Sequence, residues 1–142
     1  MRVGAVSQPY LLHVEQVALD HDDFDAAAQS NTINVGAALP ANAHILRASV
    51  ECTEAPAGGG CVTYTVEFGD AADPNGLEAG SDHIAGGIAV YDTLGAYITT
   101  AGGYSNAARQ LQATATVDGA HQTQDATAGE WTFRYAYIQF YD

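Results

Sequence analysis

The side chains in this sequence that could carry chemistry are two cysteines, five histidines and seventeen carboxylates. Their spacing decides which chemistry is open to them. Cys52 and Cys61 flank Thr53-Glu54-Ala55-Pro56-Ala57-Gly58-Gly59-Gly60, a glycine-rich stretch that reads as a loop between two strands. Two readings stand: a disulfide across a hairpin, contributing about 3 kcal/mol through loop closure, or two reduced, half-buried thiols. Their spacing fits no zinc pattern, which needs a second ligand pair nearby. His13, His21, His44, His83 and His121 lack the His-x-x-x-His spacing of zinc sites on helices, so each reads as a surface or half-buried strand residue.

The acidic run Asp20-His21-Asp22-Asp23-Phe24-Asp25 offers enough oxygens to suggest calcium. Calcium loops, however, place acids at alternate positions around a glycine and close on a glutamate, and that order is missing. A solvated loop is the plainer account. Asp70, Asp73, Asn75 and Glu78 are also oxygen-rich, but Asp73-Pro74-Asn75-Gly76 is a β-turn on its own terms. Ser81, Asp82 and His83 are sequence neighbours, whereas the members of a catalytic triad converge from separate segments. Ala57-Gly58-Gly59-Gly60 runs into Cys61 rather than the Lys-Ser/Thr of a phosphate loop. No two carboxylates are marked out as a glycosidase pair. The expectation is a chain without catalytic residues, cofactor or metal.

Elements of period two must position whatever these side chains do. The run Glu130-Trp131-Thr132-Phe133-Arg134-Tyr135-Ala136-Tyr137-Ile138-Gln139-Phe140-Tyr141 puts Trp131, Phe133, Tyr135 and Tyr137 on one face, as a strand requires. Comparable runs at residues 10–19, 31–35, 43–53, 61–68, 87–91, 96–100 and 109–117 bring the number of strands to about eight. Only 22–29, 73–80 and 104–110 have room for a helical turn. Pro, Asn-Gly and Asp-Gly punctuate the runs with turn chemistry. The fold expected is an all-β antiparallel sandwich, jelly-roll-like, as a single domain over 10–142 with an extended arm over 1–9.

The 142 residues hold no lysine, four arginines and a formal net charge of −13. Phosphate contacts need clustered cations, so nucleic acid is excluded as a partner, and anionic membranes are disfavoured for the same reason. No apolar stretch is long enough to span a bilayer, and no apolar run follows Arg2 to make a secretory signal. A uniformly acidic surface suits a protein kept soluble at high local concentration.

Three stretches carry a resemblance. Thr32-Ile33-Asn34-Val35-Gly36-Ala37-Ala38-Leu39-Pro40-Ala41-Asn42-Ala43-His44-Ile45-Leu46-Arg47-Ala48, then Phe68-Gly69-Asp70-Ala71-Ala72-Asp73-Pro74-Asn75-Gly76-Leu77, then Thr127-Ala128-Gly129-Glu130-Trp131 resemble segments of small structural proteins of tailed-bacteriophage virions. Most similar are head decoration, or cement, proteins. The resemblance implies a β-rich homotrimer that binds the major capsid protein on the outside of the shell and reinforces it. The alternative is a tail or head-fibre module recognising a host-surface glycan, to which Tyr91, Tyr97 and Tyr104 beside glycine-rich turns would contribute.

Two sets of contact residues follow as expectations. After Tyr137 the second face of the last strand also turns apolar, which assigns Tyr137, Ile138, Phe140 and Tyr141 to subunit contacts. The arm, with Arg2, Val3, Val6 and Pro9, together with Tyr10 at the start of the first strand, is assigned to the capsid.

Overall fold

Side-chain alternation in the last strand dictates how the core is built. In β9 (Ala128–Gln139) the residues Trp131, Phe133, Tyr135 and Tyr137 are buried in the core. Burying Phe133 alone is worth roughly 1.5–3 kcal/mol. A computed structural model describes residues 11–100 and 103–140. Within it β9 lies between β1 (Leu11–Asp20) and β3 (Ala43–Ala57), and β3 continues the sheet to β6 (Ala89–Tyr91) and the short β7 (Tyr104–Ser105). The second sheet runs in the order β2 (Ser30–Asn34), β8 (Leu111–Val117), β4 (Tyr64–Asp70), β5 (Glu78–Asp82).

The strand pairs are nested. β1 lies beside β9, β2 beside β8, β3 beside β6 and β4 beside β5, all antiparallel. The chain is therefore one long hairpin rolled up on itself, which is the jelly roll. Between the sheets, β4 and β9 interlock through aromatic pairs: Tyr64 stacks on Trp131 at 5.2 Å, and Phe68 meets Phe133 edge-on at 5.2 Å. Small residues make room for them, since Ala113 and Ala115 of β8 sit opposite Phe68 and Val66. Phe24, at the end of a 3₁₀ turn (His21–Phe24), closes the core against the edge of Trp131.

Among the described residues nine strands form, in keeping with the roughly eight expected. Several elements differ from the sequence reading. Residues 96–100, read as a strand from Ile98, Thr99 and Thr100, instead hold α2 (Ala96–Thr99). The Thr99 and Thr100 hydroxyls bond back to the Gly95 and Ala96 carbonyls, and Tyr97 is tied to Asp70, so local hydrogen bonding and tertiary anchorage override β-propensity. Residues 104–110 form no helix; β7 pairs with β3 there. β5 and the single-turn α1 (His83–Gly86) are additional, and α1 is capped by the Asp82 side chain.

The hairpin placed around Cys52 and Cys61 is also corrected, because β3 and β4 belong to different sheets and the connection crosses the sandwich. Both thiols are free, Cys52 within the core and Cys61 half-buried in the crossing loop. The Asp73–Gly76 turn does form, closed by a 3.0 Å hydrogen bond from the Gly76 N–H to the Asp73 carbonyl. Among the described residues no helix is long and apolar enough to cross a membrane.

Candidate interaction surface

The outer faces of the two sheets have opposite characters. On the β2–β8 sheet, Ser30 pairs with Thr116 at 3.0 Å, Thr32 with Thr114 at 2.9 Å, and the Gln112 amide donates to Asn34 at 3.2 Å. These side chains satisfy one another in a neutral polar ladder. On the β1–β9–β3 sheet, the register aligns Leu12 with Ile138 and His44, then Val14 with Ala136 and Arg47, then Gln16 with Arg134 and Ser49. The outer face thus grades from apolar at one end to polar at the other.

A β-bulge sharpens the apolar end. The register shifts between Ile45 and Arg47, leaving Leu46 as the extra residue and turning it outward beside Arg47. Of the ten exposed large apolar residues among those described, five gather here: Leu12, Val14, Leu46, Tyr104 and Phe140. Tyr104 and Phe140 approach edge-on at 6.5 Å. Val14 is 72% exposed, the highest value of the ten. β1 is the edge of this sheet, so its second row of backbone groups is unpaired by any strand among the described residues.

Two of the three described arginines lie on the same face. Arg134 pairs with Glu51 and donates to Gln16, and Arg47 faces Asp92 at 3.7 Å. Arg109 alone of the described arginines is internal. It lies 3.8 Å from the buried Asp70 and over the ring of Tyr97, whose hydroxyl donates to Asp70 at 2.7 Å. Burial, and then the bond to Asp70, push the Tyr97 hydroxyl up to about 12.

Subunit contacts expected from the last strand separate into two kinds. Ile138 and Phe140 contribute to the outward apolar end, whereas Tyr137 points inward, stacked on His13 at 4.6 Å, and has little surface to offer a partner. Tyr141, and the arm residues Arg2, Val3, Val6, Pro9 and Tyr10, lie outside the described residues. The glycan alternative loses most of its tyrosines. Tyr91 stacks on buried His83 and bonds to the Gly87 carbonyl, Tyr97 is held by Asp70, and only Tyr104 remains open.

The oxygen-rich stretches are engaged by their own backbone. Asp20 caps the 3₁₀ turn and Asp23 caps back onto it, while Asp70 accepts from the Ala72 and Asp73 N–H groups. Ser81, Asp82 and His83 point to separate partners. The Ser81 hydroxyl donates to Glu78, Asp82 accepts from the Tyr64 and Ile84 N–H groups, and His83 accepts from the Trp131 indole at 2.7 Å. One convergence escapes sequence spacing: Cys61, Asp118 and His121 meet where two loops cross. Only the turn signal Asp118-Gly119 hinted at the local geometry, and nothing in the sequence linked it to Cys61.

No protein-family model matches this sequence, and no curated protein matches it either. Solved structures do match it in fold. A chain of the cyanophage Pam1 capsid asymmetric unit superposes with a TM-score of 0.63 at 15% identity, covering 98% of this chain and 94% of that one. A chain of the Ralstonia phage GP4 capsid gives 0.59 at 18% identity over 100% and 92%. A chain of the acid-stable capsid of Helicobacter pylori bacteriophage KHP30 gives 0.54 at 14% over 92% of each.

Proposed function

We propose that this chain is a structural component of a tailed-phage virion, bound as a homotrimeric decoration protein to the major capsid protein on the outside of the shell. The observation that carries the reading is that nearly the whole chain, rather than a shared core, superposes on chains from three phage capsids. A fold alone does not name a function. Three further features support this one.

The apolar end of the β1–β9–β3 sheet groups exposed apolar side chains into a surface for burial against protein. The polar, neutral ladder on the opposite sheet gives a face suited to water. The net charge of −13 keeps many copies apart until they dock. A trimer makes its second and third attachments intramolecular, so weak single contacts hold a shell together. Ile138 and Phe140 serve contacts between copies, and the arm with Arg2, Val3, Val6, Pro9 and Tyr10 reaches the capsid.

Quantitative mass spectrometry of purified virions tests the reading. Copy number near that of the major shell protein is expected. A handful of copies per particle would place the chain on a tail or a single vertex, and absence from particles would end the proposal. Light scattering of Ile138→Asp and Phe140→Asp chains checks the trimer: folded monomer is expected, and an unchanged mass would remove these residues from the interface.

A further inference from the structure

The loop connecting β3 to β4 crosses the sandwich and meets the loop connecting β8 to β9. Cys61 belongs to the first, and Asp118 and His121 to the second. A Cys61 sulfur, an Asp118 carboxylate oxygen and a His121 ring nitrogen all lie within 4.8 Å of one another. We infer that this junction binds one divalent metal ion of the zinc class, with Cys61, His121 and Asp118 as its protein donors.

The donor set selects the metal. Thiolate, imidazole and carboxylate together are zinc chemistry, whereas calcium and magnesium take oxygen donors. Three protein donors leave a fourth tetrahedral position for water or for a side chain from a docked partner.

The donors are held in place before any ion arrives. Asp118 accepts from the Val62 N–H at 2.8 Å through one oxygen and from the Ala120 N–H at 3.3 Å through the other. His121 is turned by its own N–H to the Asp118 carbonyl at 3.0 Å, and its Nδ1 lies 2.6 Å from Asp118 Oδ1. Cys61 is fixed by a 3.2 Å bond from its N–H to the Gly58 carbonyl. An ion between Asp118 and His121 therefore takes the place of the proton in the hydrogen bond that joins Nδ1 to Asp118. The other ring nitrogen, Nε2, faces the backbone just before Cys61, where Gly60 (φ +81°) has no side chain; a Cβ there would stand 3.4 Å from it.

The local field has the right sign as well: Asp118 and Asp125 place negative charge beside Cys61, which favours a cation there.

The test uses the full chain, stripped with a chelator and titrated with zinc chloride alone under native mass spectrometry and calorimetry. One equivalent is expected, and Cys61→Ser and His121→Gln should each weaken binding roughly a hundredfold or more, since losing even an outer-shell partner costs ten- to a hundredfold. Asp22→Asn should leave it unchanged. If either variant fails to fold, cobalt substitution in the unaltered chain decides. A thiolate-to-cobalt charge-transfer band that persists in Cys52→Ala supports the site. No uptake of zinc, or uptake unaffected by the Cys61 and His121 changes, overturns it.

Discussion

Acidification should unfold this chain through one histidine. His83 is fully buried, its Nδ1 accepts from the Trp131 indole, it stacks on Tyr91 at 3.9 Å, and its Nε2 has no protein partner. Burial outweighs the opposing charge of Asp82 and pulls the imidazole down to about 4, against 6.5 in the unfolded chain. Between those values the unfolded chain binds the proton and the folded chain does not, so stability falls as pH falls. A shift from 6.5 to about 4, at about 1.4 kcal/mol per unit, amounts to roughly 3 kcal/mol lost across that window, with no further change from this group above or below it.

Glu78 works in the other direction. It is fully buried and its carboxyl is raised by that burial, so its protonation at low pH favours the folded state. A comparison with His83→Gln separates the two, because glutamine can still accept from the indole and Glu78 is common to both chains. Denaturant unfolding of both proteins from pH 7.5 to pH 4 is the assay. The unaltered chain should be the more stable at pH 7.5, and its advantage should shrink by roughly 3 kcal/mol by pH 4. A difference that stays constant with pH would refute the argument that His83 is neutral because it is buried.

Arg109→Met should destabilise the domain by about 3 kcal/mol in denaturant titrations, since it strands the buried Asp70 carboxylate beside Tyr97. Gly69→Ala should cost about 3 kcal/mol or more, or prevent folding, because its Cβ would stand 2.0 Å from the Asp73 carbonyl oxygen. Val14→Asp, at a fully outward position, should change the melting free energy by less than about 0.5 kcal/mol. The same change should weaken association between copies, measured by light scattering, if the apolar end of the sheet is the face they share.

Strand periodicity made the sandwich legible, because a face such as Trp131, Phe133, Tyr135 and Tyr137 alternates whether or not its partners are known. Turn chemistry marked Asp73–Gly76 equally well, since its cause is local. What failed to show were features set by distant segments. Ile98, Thr99 and Thr100 are good strand formers, and the tie from Tyr97 to the distant Asp70, added to the local hydroxyl bonds of Thr99 and Thr100, turns that stretch helical. The two cysteines looked like hairpin neighbours because sequence does not say when a chain changes sheets. Tyr137 looked like an interface residue because the sequence does not reveal that His13 lies across from it in β1. For the same reason Cys61 and His121 gave no metal signal, although the fold brings them to one junction.

The position of β9 has a consequence for synthesis. It is the central partner of both β1 and β3, yet it follows them in the chain. A nascent polypeptide must therefore leave the ribosome with Leu11, Leu12, Val14 and the inner face of β3 unpaired until residue 139 has emerged. Long-range pairing of this kind closes slowly and leaves apolar strand edges open to neighbouring chains in the interval. Where many copies are made at once, the charge of −13 then serves the unfinished chain first, keeping nascent copies apart before there is any finished surface to keep soluble.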